Sequence, residues 1–235
     1  MYNTVLYCTL PGSSQHLDKM AMDQVATLVI GDSPADHELK DMIDFFGLSD
    51  KRITVQLKNN SKHLKVEKLP CLILDGKLIY QYNAIAKFLA ANSSSHTGKS
   101  DIEWNEIWQY LEYRSADVQP NIRDNAKIQS VLMEMNSILA TRTFVVGFKQ
   151  SLADIILYLG LYPIATSMSC ESKQRYKHFS RWFDQNQYLA ASSFHLEKIY
   201  FPKKDACYYE CIGVLVLEKQ LKDLAQLCTL RNDSK

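Results

Sequence analysis

Six cysteines and six histidines are the side chains of this chain best suited to hold a metal or to carry nucleophilic chemistry. Cys207 and Cys211, in CYYEC, form the one close cysteine pair, and neither a second pair nor a histidine stands near enough to complete a zinc site. His16, His37, His63, His96, His178 and His195 never fall into a spacing such as HExxH. Several of the cysteines, at 8, 71, 170, 207, 211 and 228, lie within apolar pattern, which predicts reduced thiols in a cytosolic protein. No GxxxxGK phosphate loop is present. The stretch NSKHLKVEK, Asn60 to Lys68, is basic but has few aromatics to stack on bases, so a solvated loop is its plainer reading. What remains is Ser151-Leu152-Ala153-Asp154, set directly before IILYLGL. Ser151 is placed to cap a helix. Asp154, three residues on, is placed to return a hydrogen bond, as in a capping box with Asp in place of the usual Glu or Gln. A capped helix this apolar must be buried, so the chemistry of the pair is structural.

The elements around these residues divide the chain. It has 235 residues, 46% hydrophobic and 23% charged, with 27 basic against 26 acidic side chains. That is ordinary globular composition, and the neutral total argues against a large electrostatic footprint for nucleic acid. No apolar run approaches the ~18 residues of a membrane span, and MYNTVLYCTLPGSSQ does not read as a signal peptide. Residues 1–25 form a leader with one strand-like run, TVLYCTL. Residues 26–92 read as mixed α/β. ATLVIG is a buried strand, and DSPADHELKDMIDFFGLS is a helix with Leu39, Met42, Ile43 and Phe46 on one face. RITVQL is a further strand, and CLIL and KLIY flank the hairpin signal Asp75-Gly76. A helix follows from Asn83. NSSSHTGK, residues 93–100, is a polar linker. From Asp101 to Gln187 the pattern is helical throughout. Ile102, Ile107, Trp108 and Leu111 form one predicted face, and ESKQRYKHFSRWFDQNQ is read as one helix. This unit runs over 101–205. In the 206–235 tail, Val214, Leu217, Leu221, Leu224 and Cys228 make a seam of about two heptads, too short for a confident coiled coil.

LPCLILDGKLIYQYNAIAKFLA adds the detail that places the fold. Leu69-Pro70 opens a strand where a cis bond would suit, Gln81 follows the hairpin, and Ala84-Ile85 stand in the next helix. With Gly147 four residues before the Ser151/Asp154 box, these features resemble the glutathione S-transferase superfamily. The resemblance covers about residues 26–190. It implies an α/β plus all-α protein: a thioredoxin-like N-terminal domain followed by an all-helical C-terminal domain.

The resemblance also implies where a glutathione site would lie, near Ser33, Pro70, Gln81 and Tyr82. The family holds the γ-glutamyl group with a serine after the glutamine, and here that position is Tyr82. Its thiol-activating residue follows the first strand, which makes Ser33 the candidate. Capping the next helix is the plainer role for that serine. A rival alignment on TVLYCTL offers Tyr7 at the cost of a long insertion before Pro70. The expectation is a degenerate site, no bound cofactor and no catalysis, with glutathione-dependent transfer as the alternative.

YLEYR (Tyr110–Arg114), GFKQSLADIILYLGLYPI and ESKQRYKHFSRWFDQNQY narrow the resemblance. Together they look like the glutathione-transferase-like auxiliary proteins of the animal multi-tRNA-synthetase complex. That likeness implies a non-catalytic docking role, with the transferase-like domains of methionyl- and glutamyl-prolyl-tRNA synthetases as partners. It also implies a cytoplasmic location, with the nucleus as a further one. Lys173, Arg175, Tyr176 and Arg181 are the partner-binding candidates, since Arg and Tyr combine apolar area with directional donors. For Trp182 the core is the plainer place, and for Arg181 the domain's own fold is the competing role. A homodimer on the same surface stays open, as does a tRNA-binding cofactor, against which the neutral charge counts.

Overall fold

The computed structural model describes residues 25–48, 52–58, 66–93, 100–190 and 193–201. The leader with Tyr7, most of the linker and the heptad tail lie outside the described residues. Strand β1 (Ala26–Ile30) occupies the interior of a four-stranded sheet ordered β2-β1-β3-β4. It pairs in parallel with β2 (Ile53–Leu57), Leu28 opposite Val55, and antiparallel with β3 (Cys71–Leu74), Leu28 opposite Leu72. A strand with neighbours on both sides and cover on both faces reads as a continuous apolar run, which is why ATLVI does not alternate. Strand β4 (Lys77–Tyr80) closes the hairpin with β3. Asp75 and Gly76 both take positive φ, 49° and 74°, the conformation that a two-residue type I′ turn demands. Helix α1 (Pro34–Phe45) buries Leu39, Met42 and Ile43, and helix α2 (Tyr82–Ala91) buries Ile85, Phe88 and Leu89.

The helical half begins with α3 (Asp101–Tyr113), which runs into a π-helical turn at Arg114–Val118 and a short α4 (Gln119–Asn121). Helices α5 (Asn125–Ile138), α6 (Leu152–Ser167), α7 (Cys170–Arg175) and α8 (Lys177–Ala190) follow. Every residue of α6 from Leu152 to Leu161 is buried, as an all-round apolar helix requires. The box at its start is formed and extended. Asp154 Oδ2 accepts from the Ser151 backbone N–H at 3.0 Å and from its hydroxyl at 2.9 Å. Oδ1 accepts from Val145 N–H at 2.9 Å and from the indole N–H of Trp182 at 2.8 Å. The carboxylate therefore joins the loop before α6, the helix itself and α8.

Four expectations need correction. Residues 139–151 form a loop, so the helical pattern is not continuous from Asp101 to Gln187. ESKQRYKHFSRWFDQNQ is two helices, broken at Tyr176, whose ψ of 51° leaves the helical region while its ring is buried. The predicted α3 stripe is split. Ile107 and Leu111 are buried, but Ile102 is 73% and Trp108 40% exposed, since 102 and 108 lie on flanks of the helix that the described residues leave open but for Lys87 beside Trp108. Finally, Cys71 is a free buried thiol, whereas Cys170 is disulfide-bonded rather than reduced.

Candidate functional site

The positions implied for a glutathione site come together only in part. Ser33 caps α1, its oxygen accepting from Asp36 N–H at 3.2 Å. Its hydroxyl donates to Asp36 Oδ2 at 2.6 Å, and the same oxygen accepts from Ser33 N–H and Gly31 N–H, each at 3.2 Å. Asp36 Oδ1 is buried without a partner. Gly31 permits a close approach: a Cβ there would stand 3.2 Å from Leu69 Cδ1, so the N-terminus of α1 lies beside the cis Leu69-Pro70 bond. Gln81 precedes α2 at φ 74°, a left-handed value unusual for any residue but glycine. The Ser33 side chain thus serves the fold. Ser33→Ala is expected to cost about 1–2 kcal/mol in urea unfolding, since it removes a cap and one donor to a buried carboxylate.

Tyr82 departs furthest from a ligand-binding role. Its hydroxyl donates to Glu38 Oε2 of α1 at 2.7 Å, and its ring lies under the Arg114 guanidinium, 4.1 Å from carbon to centroid. Arg114 forms a close ion pair with the same Glu38 oxygen, and its Nε donates to the Ile156 carbonyl of α6 at 3.2 Å. Gly160 leaves room for this, since a Cβ there would meet Arg114 Nε at 3.0 Å. One residue on, Asn83 donates to the Leu111 carbonyl and to the Glu112 and Ser115 side chains, at the junction of α3 with its π turn. Burial raises the Tyr82 phenol well above its usual range, and the adjoining Glu38 carboxylate adds to this. Burial also pushes the Glu38 carboxyl up, while Arg114 and Tyr82 pull it back. Glu38, Asn83 and Arg114 carry no sequence signature of this role, because their partners lie between 28 and 76 residues away.

Of the four partner-binding candidates, the structure ties three to the domain itself. Tyr176 is 5% exposed and cannot anchor a partner. Arg181 donates to the Leu139 and Arg142 carbonyls at 2.7 and 2.6 Å, closing the C-terminus of α5. In return Asn136 of α5 accepts from His178 and Phe179 N–H at the start of α8. Lys173 donates to the Tyr200 carbonyl at 2.9 Å and lies over the Phe201 ring, strapping down the segment after α8. Arg175 alone of the four is exposed without a backbone carbonyl to hold, its guanidinium 5.7 Å from the Tyr176 ring centroid. Trp182 is fully buried, its plainer place.

Exposed apolar groups stand on α8, at Tyr188 and Leu189, and on several other elements. Trp108 and Ile102 face solvent from α3, Leu78 from β4, at 43%, and Phe148 from the loop before α6, at 100%. Lys87 of α2 reaches across to α3, its ammonium 5.4 Å from the Trp104 ring centroid and 5.7 Å from that of Trp108. Lys87, Trp104 and Trp108 thereby form a cation–π group that joins α2 to α3.

The family model described as nuclear-export cofactor Arc1p matches residues 109–190. The chain is 32% identical to human eukaryotic translation elongation factor 1 epsilon-1 over 113 residues, 48% of this chain and 64% of that protein. The mouse protein of that name is 29% identical over 131 residues, 55% of this chain and 75% of the other. Rice elongation factor 1-gamma 1 is 26% identical over 140 residues, covering 50% and 34%. Against the human and Chinese hamster epsilon proteins the match spans 64% and 55% of the relatives' length. Among solved structures, the transferase-like domain of Saccharomyces cerevisiae elongation factor 1-gamma superposes with a TM-score of 0.63. It is 13% identical, covering 77% of this chain and 96% of that one. A Bombyx mori glutathione transferase gives 0.57 at 18% identity, covering 72% and 90%. The chain therefore has the glutathione-transferase-like fold, a thioredoxin-like domain followed by a helical one, and is similar to the elongation factor 1 epsilon proteins.

Proposed function

We propose that this chain is a non-catalytic docking protein of the translation machinery. In this reading it pairs with the transferase-like domains of methionyl- and glutamyl-prolyl-tRNA synthetases or of related members of their complex. The observation that carries the reading is the fate of Tyr82. At the position where a transferase holds its peptide ligand, this chain spends the side chain on Glu38 and Arg114. Ser33 is likewise spent on a cap. Trp108, beside Lys87 of α2, is by contrast exposed, and tryptophan is among the residues that anchor interfaces. The relatives' names support the same direction: elongation factors on one side, a cofactor on the other. Arg175 marks a second contact on the helical half. A cytoplasmic location with access to the nucleus belongs to the same proposal.

The test mixes the purified chain with the isolated transferase-like domain of each synthetase and follows complex formation by calorimetry and size exclusion. Binding to one of them, weakened more than tenfold by Trp108→Glu or by Arg175→Glu, is the expected result and assigns the surface. No complex with either domain, together with retention on glutathione resin and conjugation of a standard electrophile, would replace docking by catalysis. A homodimer lost in Trp108→Glu, with no binding to a synthetase domain, would also overturn the reading.

A further inference from the structure

Residues 194–201, FHLEKIYF, follow α8 as neither helix nor strand. Their exposure has a pattern. Phe194 and Ile199 are buried and Leu196 and Phe201 partly so, while His195, Glu197, Lys198 and Tyr200 face solvent. The inward side chains have seats. Phe194 stacks on Phe45 of α1 at 5.1 Å and meets Tyr158 of α6 at 6.4 Å between centroids. Leu196 and Ile199 pack with the core. Phe201 lies 5.6 Å from Phe183 of α8, with the Lys173 ammonium of α7 5.2 Å from its own centroid. The backbone is gripped by side chains. The Tyr162 hydroxyl of α6 donates to the Glu197 carbonyl at 2.8 Å, and Lys173 donates to the Tyr200 carbonyl at 2.9 Å. Gln187 of α8 donates to the Ile199 carbonyl at 2.8 Å and accepts from its N–H at 3.0 Å. Among the described residues, no backbone–backbone hydrogen bond joins 195–201 to the rest of the chain.

A bound peptide is held in this way. Bonds to its main chain give affinity without regard to sequence, and seats for spaced apolar side chains give selectivity. We propose that the groove formed by α6, α7 and α8 with the end of α1 is a docking site for an extended segment of a partner protein, and that residues 194–201 fill it in cis. The partner segment carries apolar side chains at its first, third, sixth and eighth positions. Gln187 sets the register, because its amide both gives and takes a hydrogen bond at the sixth. A short tether holds the chain's own segment at an effective concentration of about millimolar, so displacement calls for a partner already bound to the chain by another contact. Exchange also removes the Phe194 ring from Phe45, and with it a contact between the helical half and the small domain.

The probe is the peptide SFHLEKIYF, residues 193–201, labelled with fluorescein at its N-terminus and followed by anisotropy against the full chain. Phe194→Ala/Ile199→Ala removes two inward side chains of the tethered segment and leaves the groove walls intact. That double variant should bind the peptide with Kd about 10–100 μM, and the wild-type chain at least tenfold more weakly. A peptide with Asp at both of those positions should not bind. Adding Gln187→Ala to the double variant should weaken binding about two- to tenfold. Should the double variant lose cooperative thermal unfolding, Ile199→Ala alone takes its place. No binding to the emptied chain overturns the site. So do binding of the Asp peptide, affinity unchanged by Gln187→Ala, and equal affinity for the wild-type chain. A concentration-dependent dimer of the wild-type chain in sedimentation, lost in Ile199→Asp, would make a second copy the occupant and overturn the separate partner.

Discussion

Replacing Asp154 by alanine is expected to cost about 3–5 kcal/mol, a large part of the ~5–15 kcal/mol that holds a domain together. The substitution leaves the Trp182 indole N–H, the Val145 and Ser151 backbone N–H groups and the Ser151 hydroxyl facing a void. None of these can turn to water, because Asp154, Leu152, Val145 and Trp182 are at most 0% exposed and Ser151 is 8% exposed. A buried donor left without its acceptor loses its desolvation energy with nothing in return. Asp154→Asn is the informative partner. It keeps an oxygen for Trp182 and Val145 but turns an NH₂ toward the Ser151 N–H, so it should cost less than alanine and more than a surface change. Burial raises the Asp154 carboxyl above its ordinary 3.8 while its four donors pull it down. With a folded value above the unfolded one, its contribution is complete below 3.8 and falls away as pH rises through the folded value. Urea unfolding followed by tryptophan emission measures the loss, and an alanine variant as stable as wild type would sink the argument.

The box at Ser151 was legible because both partners sit three residues apart and the apolar run follows at once. The same holds for Asp75-Gly76, for the cap at Ser33 and for the face of α1. Each is a local rule with a local consequence. Trp182 belonged in the core by size alone, but its bond to Asp154 spans 28 residues and no pattern announces it. The errors share that cause. Ile102 and Trp108 have the right types for a core stripe, and only the path of the neighbouring helices decides that no described helix buries them. Arg181 and Tyr176 have the right types for an interface, and only the end of α5 and the break between α7 and α8 claim them for the fold. The candidate site was therefore half visible: Pro70, Gln81 and Ser33 as positions, but not the Glu38–Tyr82–Arg114 group that occupies their neighbourhood.

Arg114→Ala is expected to uncouple the two halves and to cost about 3–5 kcal/mol, since it strands the Glu38 carboxylate with one remaining donor. It also removes a donor from the Ile156 carbonyl and empties the space against Gly160. All three tryptophans, Trp104, Trp108 and Trp182, lie in the helical half, so their emission reports that half while far-ultraviolet circular dichroism reports both. In wild type the two urea transitions should coincide. In Arg114→Ala the dichroism should begin to fall first, as the small domain loses its partner. Glu38→Gln separates charge from contact. It keeps an acceptor for Tyr82 and Arg114 but cannot ionise, so Arg114→Ala should cost less in that background, and the difference measures the ion pair. The pH dependence carries a sign as well. Burial lifts the Glu38 carboxyl above its ordinary 4.5, so its contribution is complete below 4.5 and declines as pH rises through the folded value. Glu38→Gln should flatten that decline. Coincident transitions in Arg114→Ala, with equal costs in both backgrounds, would show that the halves are held by apolar packing alone and that Tyr82 is free for another role.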